Sequence, residues 1–236
     1  MEFTVGPAGD LGLRLAFTQA PAPSLTHKLL AIQSAARLQF LGSLVDSIVG
    51  YNTLTLFFQP LTLDRERAQH WLQESAMRVN GAADIGDTAC KTVTLPVLYH
   101  PSVAPDLEWL AESQNLGVDE VIALHSEKDY FAFATGFAPG FCYLGSVDER
   151  LATPRLDTPR AHVPAGSVAI ADQQTAIYPC ASPGGWRLIG ACPTPLFDLE
   201  ADPAARISVG DTVRFEPISL EAFQALQSQP DRKSTR

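Results

Sequence analysis

The amino-acid sequence predicts an α+β chain of two unlike domains, and three observations predict it. Between Leu11 and Val97 the hydrophobic period switches between two and helical spacing in the order strand, helix, strand, strand, helix, strand. A stretch from His100 to Pro105, bearing two prolines, then interrupts the pattern. Of the 16 glycines and 18 prolines in the chain, 15 fall in the run from Gly136 to Asp198, which contains no lysine. Glycine permits positive φ and close backbone approach, and proline fixes φ and removes an amide donor. Such a run alternates short strands with shaped turns and excludes long helix.

The first strand is expected at Leu11–Phe17, where Leu11, Leu13, Leu15 and Phe17 alternate. A helix follows, capped by Ser24 or Thr26, with Leu25, Leu29, Ile32 and Ala36 at helical spacing until Gly42. Strands at Leu44–Val49 and Leu54–Phe58 flank Gly50-Tyr51-Asn52, a hairpin signal. A second helix runs from Leu63 to Val79, with Asp64 and Glu66 in its first turn, Arg78 in its last, and Asn80-Gly81 as its stop. The strand Lys91–Val97 completes βαββαβ. That order is the split βαβ, ferredoxin-like sandwich, assigned to residues 1–99.

Two helices open the second domain. Leu107, Leu110 and Ala111 share a face of Asp106–Asn115, and Val118, Val121, Ile122 and His125 recur at i, i+3, i+4 and i+7, which turns His125 inward. Short strands at Phe131–Thr135, Val168–Ala171, Thr175–Tyr178, Arg187–Ala191 and Thr212–Pro217, punctuated by Pro and Gly, predict a closed or nearly closed β barrel over residues 100–227. Residues 228–236 read as a polar tail.

Composition narrows the function. A net charge of −9 and a pI near 4.9, with no basic stripe, argue against nucleic acid or an anionic membrane as partner. No run reaches the roughly 20 apolar residues of a membrane-spanning helix, and the first residues lack a basic, signal-like start, so a cytoplasmic protein is expected. Cys90, Cys142, Cys180 and Cys192 are scattered without CxxC spacing and are read as reduced, mostly buried thiols. The five histidines are isolated, so no metal ligand set is expected. Gly136, Gly140 and Gly145 are not followed by Lys-Ser/Thr, which leaves neither a Walker A loop nor GxGxxG.

Several residues remain as candidates for chemistry. Arg155 and Arg160 each follow a Thr-Pro pair, in which proline fixes the backbone before the guanidinium. Such pre-aimed forks suit a carboxylate or phosphate, the alternative being surface pairing with Asp148, Glu149 or Asp157. Phe141, Tyr143 and Trp186 offer flat apolar area, and Gln174 and Thr175 offer neutral donors and acceptors, at a pocket rim or in the core. Ser182, in Ala-Ser-Pro-Gly-Gly-Trp, is a turn serine bonding its own backbone or a ligand hydrogen-bonding group. His125 is either a packed helix-end histidine or a general base at the barrel mouth. Cys142 is read as a small packed residue.

The succession GFAPGFCYLG, RLATPRLDTPRAHVPAGSVAIADQQTAIYP and SPGGWRLIG, ending in PLFD, resembles the 5-oxoprolinase B-subunit family, also called KipI-like or allophanate hydrolase subunit 1. The resemblance extends through DLEWLAESQNLGVDEVIALHS and, more weakly, LVDSIVGYNTLTLFF; Cys142 departs from it, standing where the family has proline in GFPYLG. It implies a cyclophilin-like barrel. It also implies that the chain works with two partners, the KipA-like C subunit of 5-oxoprolinase and its A subunit, in the ATP-dependent opening of 5-oxo-L-proline to L-glutamate. ATP is then a cosubstrate bound with a partner subunit. Other members of the family imply two different functions: inhibition of a sensor histidine kinase, and a part in a urea or amide carboxylase. Carried onto this chain, the resemblance makes His125, Arg155 and Arg160 the catalytic candidates, and Phe141, Tyr143, Gln174, Thr175, Ser182 and Trp186 the substrate-binding ones.

Overall fold

The computed structural model describes residues 2–62, 64–81 and 90–228, in two compact units, Met1–Cys90 and Lys91–Arg236. The expected start of the second helix at Leu63 and the polar tail beyond Ser228 lie outside the described residues.

The first unit contains β1 (Phe3–Pro7), β2 (Gly12–Phe17), α1 (Pro23–Gln39), β3 (Leu44–Val49), β4 (Thr53–Phe58) and α2 (Arg65–Gly81). Its antiparallel sheet has the order β1-β2-β4-β3. Leu13, Leu15 and Phe17 of β2 and Leu54, Leu56 and Phe58 of β4 are buried, as are Leu25, Leu29, Ile32 and Ala36 of α1 and Ala68, Leu72 and Ala76 of α2. The period-two and helical faces therefore meet as expected. The cap does not: α1 begins at Pro23 behind Ala22, and the Thr26 hydroxyl bonds back to the Ala22 carbonyl at 3.4 Å.

The βαββαβ expectation is corrected by strand pairing. β5 (Thr92–Val97) does not join the first sheet but runs parallel to β13 (Thr212–Pro217), with Thr92 opposite Thr212 and Val97 opposite Pro217. β1, unforeseen, takes an edge of the first sheet through a hairpin with β2, so the first unit is ββαββα and the boundary falls before β5. Alternation along Val93, Leu95 and Val97 looks the same in either sheet, so periodicity does not identify the partner strand.

The second unit adds α3 (Leu107–Ser113), α4 (Val118–Ser126), β6 (Asp129–Thr135), β7 (Cys142–Gly145), β8 (Arg160–Val163), β9 (Ser167–Ala171), β10 (Gln174–Ile177), β11 (Ser182–Gly184), β12 (Arg187–Ala191) and, after β13, α5 (Leu220–Gln227). Seven strands form one sheet in the order β12-β9-β10-β7-β6-β13-β5. Its two ends meet: Leu98, just past β5, exchanges hydrogen bonds of 2.8 and 2.9 Å with Ala191 of β12. This bridge nearly closes the barrel and pairs backbone that would otherwise stay open at both edges. Leu95, Val97, Tyr130, Leu144, Val168, Ile170, Ile189, Val213 and Phe215 fill one core with Leu107, Leu110 and Val121 of the helices. Strands β8 and β11 pair as a separate ribbon. Cys142 and Cys192 are buried and Cys90 and Cys180 exposed, and none of the four forms a disulfide among the described residues. No helix among the described residues is long and apolar enough to cross a membrane.

Candidate functional site

The conspicuous feature of the second unit is an aromatic cluster with arginines around it. Phe141, Tyr178 and Trp186 are buried together with Val163, Ala169, Ala171, Ala176 and Leu188, and Tyr143 packs against them half-buried. Phe141 lies 4.9 Å from Tyr143, 5.7 Å from Tyr178 and 5.9 Å from Trp186, tilted or edge-on in each case. The loop before β7 sets this geometry. Gly140 has φ +82°, and a Cβ there would come within 2.8 Å of Phe197 Cβ, so glycine alone lets the Leu196-Phe197 segment close on the loop. Gly184 plays the same part opposite Tyr178, whose hydroxyl occupies the space a Cβ would need.

Arg155 is exposed, and its guanidinium lies over the Trp186 ring at 5.6 Å. Its loop is stitched down on both sides, by Thr153 pairing with Asp172 and by the Leu156 amide donating to the Gly185 carbonyl at 2.7 Å. The alternative, surface pairing of Arg155 with Asp148, Glu149 or Asp157, does not form among the described residues; Asp148 pairs with Arg150 instead. Arg160 is engaged differently. Its Nη2 donates to both carboxylate oxygens of Asp106, at 2.8 and 2.9 Å, and its Nη1 to the Trp186 carbonyl at 3.3 Å. Asp106 is 6% exposed, accepts the Leu188 amide at 2.6 Å and stands 4.0 Å from Arg187 Nη1. Burial pushes the Tyr178 phenol up, and the Trp186 backbone and the charges of Arg155 and Arg160 pull it partly back.

The structure thus brings Arg155, Arg160, Phe141, Tyr143 and Trp186 together, although Phe141 is a buried support rather than a surface. Gln174 is half-buried at the start of β10, opposite Gly145 and Ala171. Ser182 is half-buried on β11 with its hydroxyl oxygen enclosed and without a hydrogen-bond partner among the described residues, so it is not the self-bonded turn serine.

His125 and Thr175 are placed away from this cluster, in the barrel core. Each is fully buried. Thr175 Oγ1 donates to the Ala169 carbonyl at 3.0 Å and is therefore the acceptor for His125 Nε2 at 2.9 Å; Nδ1 then accepts from the Tyr99 hydroxyl at 2.7 Å. The imidazole also stacks on Phe215 with ring centres 4.7 Å apart and an angle of 12°. Burial lowers its pKa to about 3. A neutral, enclosed ring with both nitrogens satisfied packs α4 onto the barrel, which is the packed helix-end arrangement of the two readings.

Sequence reasoning misses Asp106 and Tyr178 as parts of this cluster. Asp106 carries only a helix-start signal, because its partners lie 54 and 82 residues away. A cavity of about 480 Å³ lies apart from the cluster residues, lined by Lys91, Leu196, Phe197, Asp198 and Arg206 among others.

Comparison with known proteins defines the class first: residues 3–207 match the family model described as carboxyltransferase domain, subdomain C and D. The B subunit of 5-oxoprolinase from Escherichia coli O157:H7 is 40% identical over 201 residues, covering 84% of this chain and 88% of that protein. That of Bacillus subtilis (strain 168) is 30% identical over 239 residues, covering 97% and 98%. This chain belongs to the 5-oxoprolinase B-subunit family. Among solved structures, TTHA0988 superposes with a TM-score of 0.76 at 32% identity; the match covers 88% of this chain and 40% of that longer one.

Proposed function

We propose that this chain is the B subunit of an ATP-dependent 5-oxoprolinase, which opens 5-oxo-L-proline to L-glutamate in a complex with the KipA-like C subunit of that enzyme and its A subunit. The observation that carries the reading is Arg155: an exposed guanidinium without a carboxylate partner among the described residues, laid on Trp186 beside Tyr143. A small planar ring bearing one carboxylate matches an aromatic wall with a fixed cation at its rim. The family names of the relatives, at 40% and 30% identity over most of the chain, point to the same ring. In this reading the barrel has the cyclophilin-like form that the family implies.

The chemistry accounts for ATP as cosubstrate. An unactivated lactam carbonyl is a poor electrophile, and phosphorylation of its oxygen makes the ring carbon attackable. Water adds there, the C–N bond breaks as the nitrogen takes a proton, and a second water releases phosphate from the resulting acyl phosphate. Arg155 holds the substrate carboxylate, Tyr143 and Trp186 exclude water from one face of the ring, and Arg160, tied to Asp106, keeps the Trp186 backbone in place. His125 carries no proton in this scheme.

Copurification of the native chain followed by a glutamate-release assay with 5-oxo-L-proline tests the proposal. Activity is expected only with ATP and both partner subunits. Lactam opening by the isolated chain overturns the shared-site scheme. Loss of autophosphorylation by a sensor histidine kinase on adding the chain, without glutamate release from the complex, transfers the chain to the inhibitor class.

A further inference from the structure

Two of the three arginines around the cluster, Arg160 and Arg187, share one buried carboxylate. Asp106 is occupied by Arg160 through both oxygens and by the Leu188 amide, which leaves Arg187 with a contact of 4.0 Å, beyond hydrogen-bond length. Arg187 makes no hydrogen bond among the described residues, and its Nε is buried without a partner. Yet the group is held firmly. Its guanidinium carbon lies 3.6 Å from the centre of the Trp109 ring, and the side chain keeps 16% exposure while Trp109 keeps 41%. Trp109 sits on α3 one turn beyond Asp106, and Arg187 directly follows Trp186, so one segment of backbone carries the plate under Arg155 and the second guanidinium.

A guanidinium stacked on an aromatic face has its plane fixed, and a fixed fork with unspent donors is a receptor for an oxyanion. Charge points the same way. Arg160 and Arg187 face the single carboxylate of Asp106, Arg155 has no carboxylate partner among the described residues, and Asp157, on the same loop as Arg155, is exposed and pairs with none of the three. Two positive charges remain uncompensated in a chain of net charge −9. A monocarboxylate on Arg155 answers one of them.

We propose that Arg187, laid on Trp109 and set beside Arg160 by Asp106, is a second anion-binding position that receives an oxyanion group of the ligand. Within the 5-oxoprolinase reading, on which its role rests, the group is either the phosphoryl placed on the lactam or the new carboxylate of the product. Asp106 is the positioning residue: it neutralises Arg160 so that Arg187 faces the ligand with its donors unspent.

Binding to the full chain tests this without partner subunits or turnover. In a Trp71→Phe background the remaining tryptophans, Trp109 and Trp186, both report from the site. Titration with inorganic phosphate at constant ionic strength, with 5-oxo-L-proline and L-glutamate as parallel arms, is expected to give saturable fluorescence changes. Arg187→Lys keeps the charge but loses the planar fork, and Arg187→Ala loses both; each is expected to weaken phosphate binding at least tenfold. Arg155→Ala is expected to weaken 5-oxo-L-proline by a similar factor and phosphate by less than threefold. Tighter binding of L-glutamate than of phosphate to Arg187 assigns the position to the product carboxylate. A flat phosphate and glutamate response in the unsubstituted chain, or unchanged binding of both in a folded Arg187→Lys, overturns the proposal. Should Arg187→Ala not fold, the lysine variant decides. Glutamate release by the reconstituted complex with no oxyanion bound at Arg187 removes only this inference, whereas oxyanion binding without any glutamate release removes the 5-oxoprolinase reading.

Discussion

Asp106 and Arg160, 54 residues apart in sequence, meet through two contacts of 2.8 and 2.9 Å. The pair joins the segment entering α3 to the ribbon strand β8, and the Leu188 amide on the same carboxylate adds the barrel strand β12. Truncating one member of a buried charge pair leaves the other uncompensated, which costs about 3–5 kcal/mol where both are enclosed. Arg160 keeps 26% side-chain exposure and is partly hydrated, so Asp106→Ala is expected to lose about 2–3 kcal/mol in urea unfolding. Asp106→Asn retains an acceptor for the Leu188 amide and is expected to lose less. Equal losses in the two variants contradict the contribution of the Leu188 amide bond, and no loss in either contradicts the charge pairing.

The buried His125 gives the fold a pH dependence of definite sign. Its folded pKa is near 3, below the roughly 6.5 of an exposed imidazole, so between these values the unfolded chain binds a proton that the folded chain does not. Stability attributable to this residue is present above pH 6.5 and falls as pH drops toward 3, with a limiting slope of about 1.4 kcal/mol per pH unit. His125→Gln is expected to flatten that acid limb while costing about 1–3 kcal/mol at neutral pH through lost buried hydrogen bonds. In the reconstituted complex its kcat is expected to stay within a few-fold of the unsubstituted value. A drop of a hundredfold or more, in a folded variant, restores His125 to the chemistry.

Gly184 is tied to Tyr178 by space alone. An alanine methyl there collides with the phenol oxygen, and relief requires either Tyr178 or β11 to move. Gly184→Ala is expected to cost about 1–3 kcal/mol, the usual range for overpacking, and to perturb the Trp186 fluorescence next to it. An unchanged melting temperature and spectrum contradict the packing.

Most of the fold is legible in the sequence because local period decides it. The helices containing Leu25–Ala36 and Val118–His125 and the strands around Leu54–Phe58 and Thr212–Pro217 have one apolar face each, and they bury it. Pairing is not legible. Whether Lys91–Val97 joins the first sheet or β13 depends on hydrogen bonds to residues 120 positions later, and nothing in its alternation records them. The same limit shapes the site. Arg155, Tyr143 and Trp186 stand out because proline, glycine and aromatic residues specify local geometry, but Thr-Pro-Arg occurs twice and only contact distinguishes the exposed Arg155 from the Asp106-bound Arg160. Helical spacing turns His125 inward, and burial decides between its two readings. A histidine with both nitrogens bonded inside a core has the same sequence signature as one facing a cleft.

Central to the proposed function is Arg155 as the substrate-carboxylate anchor of a shared lactam-opening site. The deciding measurement is steady-state glutamate release from 5-oxo-L-proline and ATP by the complex reconstituted with both partner subunits, comparing the unsubstituted chain with Arg155→Ala. A charge-assisted hydrogen bond lost from substrate binding is expected to lower kcat/KM about 10- to 100-fold, chiefly through KM. Equal kcat/KM for the two proteins, or glutamate release by the two partners without this chain, contradicts it.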